Sequence, residues 1–231
     1  MTSKAIPSRK TARDLVADIL RQEILRGVLK PNERLAVPDL ALRIGVSQTP
    51  TREALQLLES ERLVRIDPYK GARVSELDPE DCEELFFMRI QLEPVAARIG
   101  AERIGAEDIR RLDTLLRDMT SAAAEGDVNR FIEADWAFHQ VQYAAAGRQR
   151  LAELIMSLRQ ESERYTRSSY EVEPGRLKSN LKEHRRCIQL LTRHDGPGAA
   201  EWTRSLVTNA SNAVQRGLAT LDTYEPGDRT A

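Results

Sequence analysis

A chain of 231 residues with 31% charged and only 5% aromatic side chains is long enough for one large domain or two modest ones, and two fit better. Abundant Leu, Ala, Arg and Glu favour a mostly helical protein over a β-sandwich or an α/β enzyme. The net charge of −1 does not by itself point to a polyanion, but the charge is unevenly spread. Residues 1–75 carry 14 Lys and Arg against 9 Asp and Glu, and residues 76–231 carry 21 against 27, so the N-terminal third suits a polyanion. No apolar run approaches the ~20 residues that span a bilayer, and no secretory segment follows Met1. Cys82 and Cys187 lack metal-type spacing and read as reduced helix residues. A cytoplasmic protein with no membrane partner is the expectation.

Met1 to Lys10, with Lys4, Arg9 and Lys10, has no periodicity; it reads as a disordered terminus or as a basic arm touching DNA phosphate. Val16, Ile19, Leu20 and Ile24 then mark one face of a helix that Gly27 stops. LKPNERL makes a turn into a short helix after Pro38. The stretch GVSQTPTREALQLLE, from Gly45 to Glu59, reads as the turn and recognition helix of a helix-turn-helix. Ala41 lets two helices approach, Gly45 tolerates a positive φ, and Leu40, Ile44, Val46, Leu55 and Leu58 close a small core. That leaves Ser47, Gln48, Thr49, Thr51, Arg52 and Gln56 facing outward. Thr49 is the expected N-cap and Pro50 the first helical residue, placing polar side chains and free backbone N–H groups where DNA bases and phosphates lie. LVRIDPYKGARV follows as two strands around a Pro68 to Gly71 turn, a wing whose tip carries Lys70 and Gly71, with Arg73 extending beside it.

These motifs resemble the winged-helix domain of GntR-type bacterial transcription regulators over residues 12–74. The chain departs from that pattern at Gln48, where members usually have Arg, and at Thr51, where they have an aliphatic residue. The resemblance implies operator DNA as a partner, with Ser47, Gln48, Thr49, Arg52, Lys70 and Gly71 at the interface.

Asp78-Pro79-Glu80-Asp81 is a helix start. Six helices are predicted over 79–103, 107–125, 128–146, 149–170, 176–194 and 198–222, with breaks at Gly105, Gly126, Gly147, Pro174-Gly175 and Gly196-Pro197-Gly198. They form an antiparallel bundle. The fold class is therefore mainly α: a winged helix-turn-helix domain over 1–76, then an all-α bundle over 77–231 for effector binding and dimerisation.

Within the bundle, Asp135 and His139 stand four apart and share a helix face, and His184 lies on an inward stripe with Leu181, Ile188 and Leu191. The set suits a divalent metal; the plain alternative is a salt-bridged core histidine. Arg89 either clamps a carboxylate or pairs with Glu93 on its own helix. The runs MRIQLEPVAARIGA, DWAFHQ and KEHRRCIQLL resemble the FCD ligand-binding domain of the FadR-like branch of GntR regulators. That resemblance implies a homodimer and a small organic acid beside a metal that one Asp and three His hold; the Asp and two His present suit Zn, Mn, Fe or Ni. Asp135, His139 and His184 match three of those ligands. The third His is absent from the last helix, leaving Ser205 or Asn209 as weak substitutes, and Arg89 is the expected effector clamp. A ligand-responsive regulator rather than an enzyme is the leading reading; a metal-dependent enzyme and a helical protein-interaction module are the alternatives.

Overall fold

The computed structural model describes residues 10–172 and 175–222, so the proposed arm residues Lys4 and Arg9, and the break at Pro174, lie outside the described residues. The chain divides between Leu77 and Asp78 into two units.

In the first unit, α1 (Ala12–Leu25) starts at Thr11, whose hydroxyl accepts from the Asp14 N–H while the Asp14 carboxylate accepts from the Thr11 N–H. Val16, Ala17, Leu20 and Ile24 are buried against α3 (Gln48–Ser60), and α2 (Val37–Ile44) joins them. Gly45 ends α2 at φ 78°. A three-stranded antiparallel sheet in the order β1-β3-β2 closes the unit, from β1 (Arg34–Leu35), β2 (Val64–Asp67) and β3 (Gly71–Val74). The predicted hairpin is β2-β3. The strand β1 falls where the sequence suggested only a turn: two residues are too few to show alternation, and Leu35, only 3% exposed, is fixed by pairing with Ala72.

Two expectations for α3 are corrected. The N-cap is Ser47, not Thr49, and Pro50 is the third helical residue rather than the first. A missing N–H costs nothing there, because the first four amides of a helix have no intrahelical acceptor. Thr51 is fully buried, its hydroxyl donating to the Ser47 carbonyl at 3.0 Å, so it belongs to the core and not to the outward face. Arg73, half-buried, donates to the Asn32 carbonyl at 2.9 Å.

The second unit contains α4 (Pro79–Ala101), α5 (Ala106–Glu125), α6 (Val128–Ala144), α7 (Gln149–Val172), α8 (Arg176–Thr192) and α9 (Gly196–Asp222). α4 packs against α9, α7 and α6, while α5 packs on α6 and α8. Pro94 lies inside α4 and cannot donate to the Ile90 carbonyl; Arg204 of α9 donates to it instead, at 3.4 Å. Gly100 is where α4 meets α6. A Cβ there would stand 2.6 Å from the Gln142 carbonyl oxygen.

That contact opposes two effects in one substitution. Helix propensity favours Gly100→Ala by about 1 kcal/mol, but overpacking against backbone costs about 1–3 kcal/mol. We expect a net loss of stability in urea denaturation of Gly100→Ala; a gain would mean that the α4–α6 approach relaxes freely.

Candidate DNA interface and bundle cavity

At the front of α3 the polar face is built as α2 and α1 dictate. Ser47, Gln48, Thr49, Arg52 and Gln56 are exposed, and Arg52 donates to Gln48 Oε1 at 3.3 Å. The Ser47 side chain caps no amide, so first-turn N–H groups remain for an outside acceptor. The wing is hooked to this helix by Glu59, which accepts from the Ile66 N–H at 3.0 Å. At its tip the Asp67 carboxylate accepts from the N–H groups of Tyr69 and Lys70, and Gly71 takes φ 82°, presenting Lys70 to solvent.

In the bundle a cavity of about 310 Å³ lies among α4, α6, α7, α8 and α9. Asp135 and His139 of α6 reach it together with His184 of α8, and one ligand atom of each lies within 4.8 Å of the others. The ring orientations are set by their second nitrogens. His184 Nδ1 lies 2.7 Å from the Asn180 carbonyl and His139 Nδ1 3.1 Å from Gln142 Oε1, both acceptors, so each Nδ1 carries the proton. Each Nε2 faces Asp135 Oδ1, at 2.9 Å for His184 and 3.5 Å for His139. Among the described residues nothing donates to the buried His184 Nε2. A carboxylate and two imidazole nitrogens converging within 4.8 Å of one another form a ligand set that a divalent cation satisfies. The residues therefore fit a metal ion.

A buried ionic frame stands behind the donors. Glu93, with no exposure, accepts from Arg89 at 2.6 Å, from the Tyr143 hydroxyl at 2.6 Å and from Arg159 at 3.3 Å. Arg159 also donates to Asp135 Oδ2 at 2.9 Å. Burial alone would raise Glu93, but Arg89 and Arg159 outweigh it and hold the carboxyl at about 2. Burial likewise opposes ionisation of Asp135, and His139, His184 and Arg159 prevail, keeping it well below the usual carboxylate range. Burial, followed by Arg159, lowers His139. Tyr143 is pushed well above its ordinary value by burial and then by Glu93.

Of the expected effector residues, the cavity brings together Arg89, Asp135, His139, His184 and Asn209. Ser205 is exposed and is not in its lining. Arg89 pairs with Glu93 on its own helix and donates to Ser162 Oγ at 2.8 Å, the arrangement that the sequence offered as its alternative. The third histidine, His194, donates through Nδ1 to the Ala101 carbonyl at 2.9 Å. The lining from α9 is Leu206, Val207 and Ala210 beside Asn209, Asn212 and Arg216. Sequence reasoning missed Arg159, although an arginine four residues after buried Ile155 and three before buried Ser162 marks the inward stripe of α7. It also missed Tyr165. Its hydroxyl accepts from the Asp78 N–H at 3.3 Å and donates to Asp81 at 2.8 Å, holding the first turn of α4.

A small exposed helix-turn-helix with a wing, joined to an all-helical unit enclosing a polar cavity, defines a ligand-sensing DNA-binding regulator. The model of the bacterial regulatory proteins of the gntR family matches residues 12–74, and that of the FCD domain matches residues 84–209. The chain belongs to the GntR family, in its FCD-containing form, and is a DNA-binding transcriptional regulator. It is 27% identical over 184 residues to the HTH-type transcriptional regulator McbR of Escherichia coli K12, covering 79% of this chain and 83% of that one. It is 28% identical over 171 residues to YdhC of Bacillus subtilis, covering 74% and 76%. The solved structure of E. coli McbR/YncC superposes with a TM-score of 0.75 at 25% identity, over 94% of this chain and all of that one. A GntR regulator from Rhodococcus sp. RHA1, at 23% identity and the same coverage, shares the fold with a TM-score of 0.76. No helix among the described residues is long and apolar enough to cross a membrane.

The depressed Glu93 carboxyl has a consequence in acid. Its value falls from 4.5 to about 2 on folding, so it stabilises the fold above pH about 4.5, and that contribution is lost as the pH drops toward 2. Glu93→Gln should cost about 3–5 kcal/mol at pH 7, as expected for removing one partner of a buried ion pair, and should flatten the stability profile between pH 4.5 and 2. Chemical denaturation across that range checks it; a variant with the acid limb of the wild type would contradict the assignment.

Proposed function

We propose that operator binding by this regulator is controlled by a small organic acid seated in the bundle cavity beside a divalent ion, Zn, Mn or Ni, held by Asp135, His139 and His184. The observation that supports this most is the convergence of Asp135, His139 and His184, one ligand atom of each within 4.8 Å of the others, with both Nε2 atoms facing Asp135. The ion would supply a positive centre for a carboxylate. The chain's own residues orient the donors through Asn180 and Gln142, with Arg159 and Asn209 facing the bound acid. Arg89 acts in this reading by fixing Glu93 and α7, not as a free clamp.

Ser47, Gln48, Thr49 and Arg52 read the major groove in this proposal, and Lys70 with Gly71 meets the backbone beside it. The protein acts as a homodimer on two half-sites. A ligand shifts DNA affinity only by its differential affinity for two arrangements of the protein, typically by 1–3 kcal/mol.

Fluorescence anisotropy with a promoter fragment tests both halves. Arg52→Ala should weaken specific binding by about 1–3 kcal/mol, and Lys70→Ala should weaken specific and unrelated sequences alike. Affinity should fall steeply with salt. The metal with a small carboxylate should change operator affinity in the wild type and not in His184→Ala. Normal operator binding by Arg52→Ala would remove the interface assignment, and an unchanged ligand response in His184→Ala would remove the cavity assignment.

A further inference from the structure

The metal reading leaves a charge imbalance, and Arg159 determines how it is resolved. The charges nearest the candidate ligands are already paired: Arg89 and Arg159 meet Glu93, Arg159 also meets Asp135, and Glu163 is paired with Arg167 at 2.7 Å. Asp135, the one carboxylate among the three candidate ligands, is shared with the Arg159 guanidinium at 2.9 Å. A divalent ion on these ligands would add two positive charges beside a fixed cation, in a site where buried charge is costly. The same arginine is incomplete in the opposite sense. Arg159 Nε is buried and has no hydrogen-bond partner among the described residues, and the residue lines the cavity, so it has a charged donor to give to an anion.

We infer that Arg159 makes cation and anion binding interdependent, so that this cavity takes a divalent metal tightly only together with a carboxylate. The inference rests on the proposed metal site and adds a rule for its occupancy. The guanidinium repels the ion and attracts the acid, and each ligand removes the obstacle to the other. By linkage the two ligands raise each other's affinity by one common factor. The cavity would then respond to acid and metal jointly, and metal alone would leave it largely empty.

Chelator-stripped full-length protein is titrated with MnCl2, with and without sodium malonate at matched ionic strength. Free Mn²⁺ is read by electron paramagnetic resonance, and malonate affinity is measured with and without MnCl2. In the wild type, malonate should raise Mn²⁺ affinity at least tenfold, and Mn²⁺ should raise malonate affinity by the same factor. Arg159→Gln should bind Mn²⁺ tighter than the wild type without malonate and lose most of the dependence on it. Arg159→Lys, which keeps the charge, should retain the dependence and serves if the glutamine variant does not fold. Mn²⁺ uptake that malonate does not change in the wild type would overturn the inference while leaving the metal site in place. So would an Arg159→Gln variant as dependent on malonate as the wild type. No Mn²⁺ uptake in any arm would overturn the metal site and the inference with it.

Discussion

The Glu93 carboxylate has no exposure and is contacted by three donors from three helices: Arg89 of α4, Arg159 of α7 and Tyr143 of α6. An ionised group buried this deeply persists only if its partners are already in place. Their placement decides the rest of the bundle. Arg159, drawn in by Glu93, reaches Asp135, and Asp135 is the residue around which His139 and His184 turn their Nε2 atoms. The cavity's chemistry is therefore built outward from a charge pair, with apolar packing as its wall.

α7 carries that arrangement along its length. Arg159 and Ser162 contact the ionic frame, and Tyr165, one turn beyond Ser162, holds the Asp78 N–H and the Asp81 carboxylate at the first turn of α4. Arg164 reinforces the same point, donating to the Tyr165 hydroxyl at 2.9 Å and to Asp81 at 3.3 Å. Only four residues separate the end of β3 from the start of α4. A change in the cavity thus has a short covalent and hydrogen-bonded route to the residue where the chain leaves the DNA-binding unit.

Much of this was legible in the sequence because it is local. The apolar spacing of Val16, Leu20 and Ile24, the Asp78-Pro79 start of α4, and the four-residue spacing of Asp135 and His139 each follow from helical periodicity. What escaped was tertiary. β1 is two residues long and exists only because β3 passes beside it. Ser47 displaced Thr49 as N-cap, since both residue types suit that position and propensity cannot choose between neighbours two apart. Thr51 is inward because α1 packs on that face of α3. Arg159 was overlooked since a charged residue on a long amphipathic helix normally signals the solvent side, and its acidic partners lie 66 and 24 residues away.

The central claim is that occupancy of the bundle cavity reaches the first turn of α4 through α7. Hydrogen–deuterium exchange on the full chain, with and without MnCl2 plus malonate, tests it most directly. The account predicts altered protection of the amides from Asp78 to Cys82 in the loaded wild type, and no change there in Tyr165→Phe under the same loading. Protection changes confined to α6, α8 and α9, with the start of α4 unaffected in both proteins, would contradict it.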